Sequence, residues 1–212
     1  MRMRKKKHAA ERIQACAGYM NIDDMLENEK AIYLEIGCGK GDFICGMAQK
    51  YPDINFVAAE YSPDVIVMAM EKAKNLNLTN VKFIITDAKN LDKYFPENKI
   101  AAIYLNFSDP WRKRYQWHFR LTHTSFLQVY KKILKPGAVI LLKTDNKDFF
   151  SFSVKSLTSN GFIIKNHTCD LYNSELLNGN IQTEYEKKFV GQNIHINYLT
   201  AVLADDIDLN NK

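Results

Sequence analysis

Residues 31–41 read Ala-Ile-Tyr-Leu-Glu-Ile-Gly-Cys-Gly-Lys-Gly, an apolar run that stops at three glycines spaced one residue apart. The run suits a short buried strand. Gly37, Gly39 and Gly41 let the backbone turn sharply into a following helix and let a ligand come close to main-chain N–H groups. The G-x-G-x-G spacing is not the G-x-G-x-x-G of a dinucleotide site, which disfavours a dehydrogenase, and no Gly-Lys-Ser or Gly-Lys-Thr closes it as in a phosphate-binding loop. Glu35, just before the glycines, suits a cofactor that carries an ammonium group, such as S-adenosylmethionine. Taken alone, a turn of this kind can also serve only tight strand-to-helix packing.

On either side of this turn, strand-like and helix-like segments alternate. Ala31–Ile36, Ile54–Glu60, Val81–Thr86, Ile100–Asn106 and Ala138–Thr144 are short, apolar runs that suit strands buried on both faces. Asp42–Tyr51, Pro63–Leu76, Thr122–Leu134 and Lys147–Asn160 read as helices, with a further helix around Ala9 to Cys16. Ser62 supplies an N-cap ahead of Pro63, and Lys135-Pro136-Gly137 stops a helix before a strand. The alternation predicts an open α/β sheet with helices on both faces and ligands at the carboxyl ends of the strands. Phe162–Thr168 and Ile196–Leu203 add two strands, separated by a polar stretch, residues 170–193, longer than most structureless loops.

The 212 residues suit one domain with small additions: a basic arm and lead-in over 1–30, the main domain over 31–204 and a polar tail over 205–212. The formal charge is +5, and Arg2, Arg4, Lys5, Lys6 and Lys7 account for it, leaving 24 basic against 24 acidic residues. Such an arm suits contact with nucleic acid or a solvated tail. Cys16, Cys38, Cys45 and Cys169 form no C-x-x-C and no zinc spacing, so reduced thiols in the cytoplasm and no metal site are expected. No apolar h-region follows the basic start, and no run approaches the roughly 18 apolar residues of a membrane span.

Four strands end near a carboxylate: Glu35, Glu60, Asp87 and, three residues past the fourth strand, Asp109. A carboxylate offers two acceptor oxygens, which suits Glu60 to a ribose diol and Asp87 to an adenine amino group. Acids are common where strands leave the core, but four beside a glycine turn point to a cofactor. Residues 106–120 read Asn-Phe-Ser-Asp-Pro-Trp-Arg-Lys-Arg-Tyr-Gln-Trp-His-Phe-Arg and hold both tryptophans of the chain. Aromatics interleaved with cations suit RNA, since rings stack on bases and cations meet phosphates. The alternative is an amphipathic helix start with solvated charges.

Glu35-Ile-Gly-Cys-Gly-Lys-Gly, Asn106-Phe-Ser-Asp-Pro-Trp, Thr144-Asp145 and Thr183-Glu184-Tyr185-Glu186 stand in the order seen in bacterial tRNA (guanine-N7-)-methyltransferases, which the chain resembles from about Ala31 to Leu203. The second and fourth motifs together are far more specific than the glycine turn, which all class I methyltransferases share. The resemblance implies a Rossmann-like class I methyltransferase fold, with a seven-stranded mostly parallel sheet whose last strand is antiparallel. It implies methyl transfer from S-adenosylmethionine to N7 of a guanosine in the variable loop of tRNA (position 46). The protein would be a monomer or homodimer with no obligatory protein partner. It implies cofactor contacts at Glu35, Gly37, Gly39, Glu60, Asp87 and Asp109, a catalytic role for Asp109, and substrate contacts at Lys113, Asp145, Thr183, Glu184, Tyr185 and Glu186. The family commonly continues Asp-Pro-Trp-Pro with a dense Lys/Arg/His run. Here Arg112 replaces the proline, and Tyr115, Trp117 and Phe119 stand where charges are frequent, which shifts the expected RNA contact toward stacking.

Overall fold

Seven short apolar runs pair into one sheet because, once both faces are covered by helices, their backbone groups find partners only in each other. The computed structural model describes residues 9–204. Its strands are β1 (Ile32–Ile36), β2 (Asn55–Glu60), β3 (Val81–Ile85), β4 (Ile100–Asn106), β5 (Leu134–Thr144), β6 (Phe162–Thr168) and β7 (Asn197–Leu203). They lie in the order β3-β2-β1-β4-β5-β7-β6. Strands β1 to β5 are parallel, and β7 runs antiparallel to both β5 and β6. This is the sheet expected from the sequence. Its order reverses between β1 and β4, which is where open α/β sheets place their ligands. The basic residues Arg2, Arg4, Lys5, Lys6 and Lys7 and the tail 205–212 lie outside the described residues.

The helices are α1 (Ala9–Gln14), α2 (Asp23–Glu27), α3 (Asp42–Lys50), α4 (Pro63–Asn75), α5 (Thr124–Ile133), α6 (Lys147–Ser159) and α7 (Glu184–Val190). Alternation along each strand sends side chains to opposite faces. Ile32, Leu34, Val57, Ile103 and Leu105 meet Phe126 and Tyr130 of α5 and Phe149 of α6 on one face. Phe56, Phe83 and Tyr104 meet Ile44 of α3 and Ile66 and Met70 of α4 on the other. Each such side chain contributes about 1.5–3 kcal/mol by leaving water. The lead-in is tied to this body: Cys16, Ile22 and Met25 are buried, and Arg12 on α1 makes a two-pronged pair with Glu71 on α4 at 2.6 and 2.5 Å.

Two local details differ from the sequence reading, and a third fills in what the sequence left open. Ser62 stands at the N-cap position of α4 but its side chain does not cap, and its N–H is held instead by Glu60 Oε1 at 3.1 Å. Strand β5 begins at Leu134, directly after α5, and the register jumps from Leu134 opposite Ile100 to Val139 opposite Ala102, so Lys135–Gly137 bulge out within the strand. The polar stretch after β6 is not structureless: it forms two 3-10 turns (Leu171–Asn173 and Glu175–Leu177) and α7. No helix among the described residues is long and apolar enough to cross a membrane.

Candidate active site

The turn after β1 is built from three glycines in the left-handed region, with φ of 77° at Gly37, 55° at Gly39 and 79° at Gly41. Their roles divide. A Cβ at Gly41 would come within 2.5 Å of Ala69 Cβ, so this glycine lets the turn seat against α4. A Cβ at Gly37 or Gly39 would meet nothing within 4 Å. At those two positions the turn leaves open space, which a side chain would fill and a ligand can occupy.

Glu35, Asn106 and Lys143 come from three adjacent strands and share the α3 face of the sheet. The pairing of β4 with β5 sets Asn106 opposite Lys143, and Asn106 Nδ2 donates to Glu35 Oε1 at 2.9 Å. Glu35 is 2% exposed, and its other oxygen, Oε2, is buried without a partner. Burial pushes the Glu35 carboxyl up to about 7, against the bond from Asn106 and the charge of Lys143. A buried acceptor without a donor costs about 1–3 kcal/mol, so this oxygen is open to a hydrogen-bond donor. Glu60, at the end of β2, accepts from the N–H groups of Gly39 (3.3 Å), Tyr61 (3.0 Å) and Ser62 (3.1 Å). That places its carboxylate against the glycine turn. Asp87 is exposed after β3 and accepts from Lys89 N at 2.9 Å.

Asp109 is exposed, and among the described residues its side chain makes no hydrogen bond or ion pair. The backbone around it is strained: Phe107 and Trp111 have φ of 51° and 41°, an unusual conformation for bulky side chains. Each costs on the order of 1–3 kcal/mol and needs support from its surroundings. Phe107 is held by its N–H on Lys143 O at 2.8 Å and by stacking on Phe189 of α7 at 5.8 Å. Pro110 O and Trp111 O accept from Arg120 at 2.8 and 3.4 Å. The hydroxyl of Ser108, next to Asp109, is buried without a partner.

Within the aromatic and basic segment 111–120, Arg120 does not face solvent. It is buried, with its guanidinium 4.6 Å from the Trp117 ring and 4.5 Å from that of Phe152. It ties the end of the segment back to its beginning. Lys113 is exposed, with its ammonium 5.8 Å over the Tyr115 ring.

Helix α7 begins with a capping box: Thr183 Oγ1 accepts from Glu186 N at 2.9 Å, and Glu186 Oε2 accepts from Thr183 N at 3.2 Å. Glu186 is fully buried and pairs with Lys143 Nζ at 2.6 Å. Lys143 also donates to Asn180 Oδ1 and Ile181 O, both at 3.0 Å. The second oxygen of Glu186 accepts from Tyr172 OH (2.9 Å) and Asn180 Nδ2 (2.7 Å). Thr183 and Glu186, expected at the substrate, thus spend their polar groups inside the protein. Glu184 is exposed and pairs with Lys40 of the glycine turn at 2.5 Å, while exposed Tyr185 stacks on Phe189 at 6.3 Å. Asp145 is half-buried just past β5. The structure therefore gathers Glu35, Gly37, Gly39 and Glu60 around one turn. The stacked rings of Tyr185, Phe189 and Phe107 lead from α7 to the segment that carries Asp109. Sequence reading missed Lys143, Asn180 and Tyr172; the available signal was a lone lysine inside Val-Ile-Leu-Leu-Lys-Thr, an otherwise apolar strand.

A protein-family model described as "Putative methyltransferase" matches residues 29–199. The chain is 41% identical over 198 residues to a protein from Geobacillus thermodenitrificans (strain NG80-2) named tRNA (guanine-N(7)-)-methyltransferase, covering 89% of this chain and 91% of that one. It is 39% identical over 206 residues to a protein of the same name from Clostridioides difficile (strain 630), covering 92% and 96%. Among solved structures it is similar to a SAM dependent methyltransferase from Aquifex aeolicus, with a TM-score of 0.58 at 14% identity over 94% of this chain and 100% of that one. An rRNA methylase from Streptococcus thermophilus gives 0.57 at 15% identity over 97% and 99%. At such identities these two likenesses are likenesses of fold.

Proposed function

The chain belongs to the tRNA (guanine-N7-)-methyltransferase family, and on that premise we propose that it transfers a methyl group from S-adenosylmethionine to N7 of a guanosine in the variable loop of tRNA. Identity of about 40% over nearly the whole length carries this reading. The unpartnered Oε2 of Glu35 beside an open glycine turn supports it. The work belongs in the cytoplasm, with tRNA as partner and the protein as a monomer or homodimer.

The residues present fit the cofactor. Glu35 would take its ammonium group, Glu60 its ribose hydroxyls and Asp87 its adenine amino group, with the main chain at Gly37 and Gly39 alongside. When bound, S-adenosylmethionine supplies a methyl group carried on a cationic sulfur. Guanine N7 has a lone pair and no proton, so no general base is needed and the protein's task is alignment, which can lower a barrier by roughly 7–11 kcal/mol. Asp109 accepts from guanine N1–H and the 2-amino group, fixes the base and sets negative charge beside the cationic product. The guanosine leaves its stack to reach this position. Lys113, Asp145, Glu184 and Tyr185 form the RNA side, and Thr183 and Glu186 serve it by holding α7 in place.

Glu35 makes cofactor binding pH-dependent. An ionised carboxylate is the form that pairs with an ammonium group, and its folded value without cofactor is raised to about 7. Cofactor affinity therefore rises as pH increases through about 7, until the cofactor's own ammonium group begins to lose its proton, and it falls by up to about tenfold per unit below. Calorimetric titration across that range checks this, and Glu35→Gln should bind weakly with no such slope. Flat affinity for the wild-type protein would remove Glu35 from the ammonium site.

The five basic residues at 2–7 add phosphate contacts. Deleting residues 1–8 is expected to weaken tRNA binding and to lower the slope of log K against log salt by a few units, roughly 0.7–0.9 per lost contact. Equal slopes for the two forms would make the arm a bystander. The reaction itself is tested with two tRNA transcripts that differ only in carrying guanosine or 7-deazaguanosine in the variable loop. Methyl uptake by the first and not the second is expected, and equal uptake would move the target atom elsewhere.

A further inference from the structure

Eight large apolar or aromatic side chains are exposed among the described residues, and three of them fall within five positions: Tyr115 (69%), Trp117 (36%) and Phe119 (41%). They sit on a 3-10 turn, Arg114–Phe119, that begins five residues past Asp109. We propose that this turn is a stacking platform for unpaired nucleobases of the RNA substrate. The inference rests on the reading of tRNA as substrate and adds to it where, and by what chemistry, bases are gripped beside the target guanosine.

Two of the three rings, Trp117 and Phe119, are held in place from behind. Trp117 leans on the buried Arg120 guanidinium at 4.6 Å and on Phe152 at 5.7 Å. Phe119 packs on Trp111 at 5.1 Å and on His118 at 3.9 Å. Arg120 N–H on Trp117 O at 3.0 Å and Gln116 N–H on Lys113 O at 2.8 Å close the turn. A platform ordered before binding loses little entropy on contact. The charge around it selects the partner: Lys113 lies 5.8 Å from the Tyr115 ring and Lys89 lies 6.0 Å from the Phe119 ring. Arg112 and Arg114 flank them, and no acid occurs from Pro110 to His123. Cations among open ring faces fit a polyanion with π surfaces, which is single-stranded nucleic acid, better than an apolar protein face.

The test measures binding of unmodified tRNA by the full-length protein at several salt concentrations. The variants are Tyr115→Ala with Phe119→Ala, and Tyr115→Phe with Phe119→Tyr. Stacking of one base is worth enough to predict at least about tenfold weaker binding for the alanine pair. Its salt slope should be unchanged, because rings release no counterions. The pair that keeps its rings should bind like the wild type. Unchanged affinity in the alanine pair would overturn the inference. So would a loss shared by the ring-retaining pair, or a shift in oligomeric state with tRNA affinity intact, which would give this face to a second copy of the chain. If the wild-type protein binds tRNA but places methyl groups elsewhere, the functional reading fails and the platform stands. If it binds no tRNA, both fail.

Discussion

Asp109→Asn is expected to lower turnover about a hundredfold or more while leaving cofactor affinity within about twofold of wild type. The side chain is exposed, bonded to nothing among the described residues, and carried on a backbone strained at Phe107 and Trp111. Stability alone gives no reason for that arrangement, since relaxing both residues would gain free energy. Asparagine keeps the size and one acceptor oxygen but offers an amide NH2 where guanine presents two donors. It also removes the negative charge that faces the methylated, cationic base. Because N7 needs no proton removed, the loss should not be restored at high pH, which separates this role from that of a general base. Single-turnover methylation and cofactor titration on one preparation check both halves. Unchanged turnover would refute the assignment, and rescue of the variant by raising pH would replace it with proton transfer.

Lys143→Met is expected to lower folding stability by about 3–5 kcal/mol, because it strands Glu186 as an unpaired buried charge. Lys143 is 4% exposed and Glu186 is fully buried, 2.6 Å apart. Burial lowers the lysine's affinity for its proton, and the carboxylate of Glu186 opposes that shift. The pair joins β5 to α7, and Asn180, Ile181, Thr183 and Tyr172 all bond to it. The double variant Lys143→Met with Glu186→Gln should regain most of the lost stability, since neither charge of the pair remains and the amide oxygen still accepts from Thr183 N–H. Urea denaturation of wild type, single and double variants checks this. A single variant as stable as wild type would mean that Glu186 finds water or another partner, and a double variant no better than the single would assign the loss to packing.

The fold was legible because its signal is local and repeated. Ile100–Asn106 was read to its last residue, since it is an unbroken apolar run between a charged turn and Phe-Ser-Asp-Pro. The helices Pro63–Asn75 and Lys147–Ser159 ended within one residue of expectation. The carboxylates at strand ends were legible for the same reason, since strand ends can be counted. What lay hidden was pairing over distance. Lys143 and Glu186 are 43 residues apart, and neither side of the pair shows in sequence that the other neutralises it. Arg120 does not stand apart from Arg112, Lys113 and Arg114 in sequence, because the ring of Phe152 that covers it comes from α6. Ser62 stands at the N-cap position without its side chain capping, while its N–H donates to Glu60 two residues earlier. Such choices depend on which neighbour arrives, and only the folded chain decides that.

The most direct measurement incubates the purified protein with methyl-labelled S-adenosylmethionine and unmodified tRNA, then digests the RNA to nucleosides. Label in 7-methylguanosine is the expected result. Label in any other nucleoside, or none despite measurable cofactor binding, would contradict it.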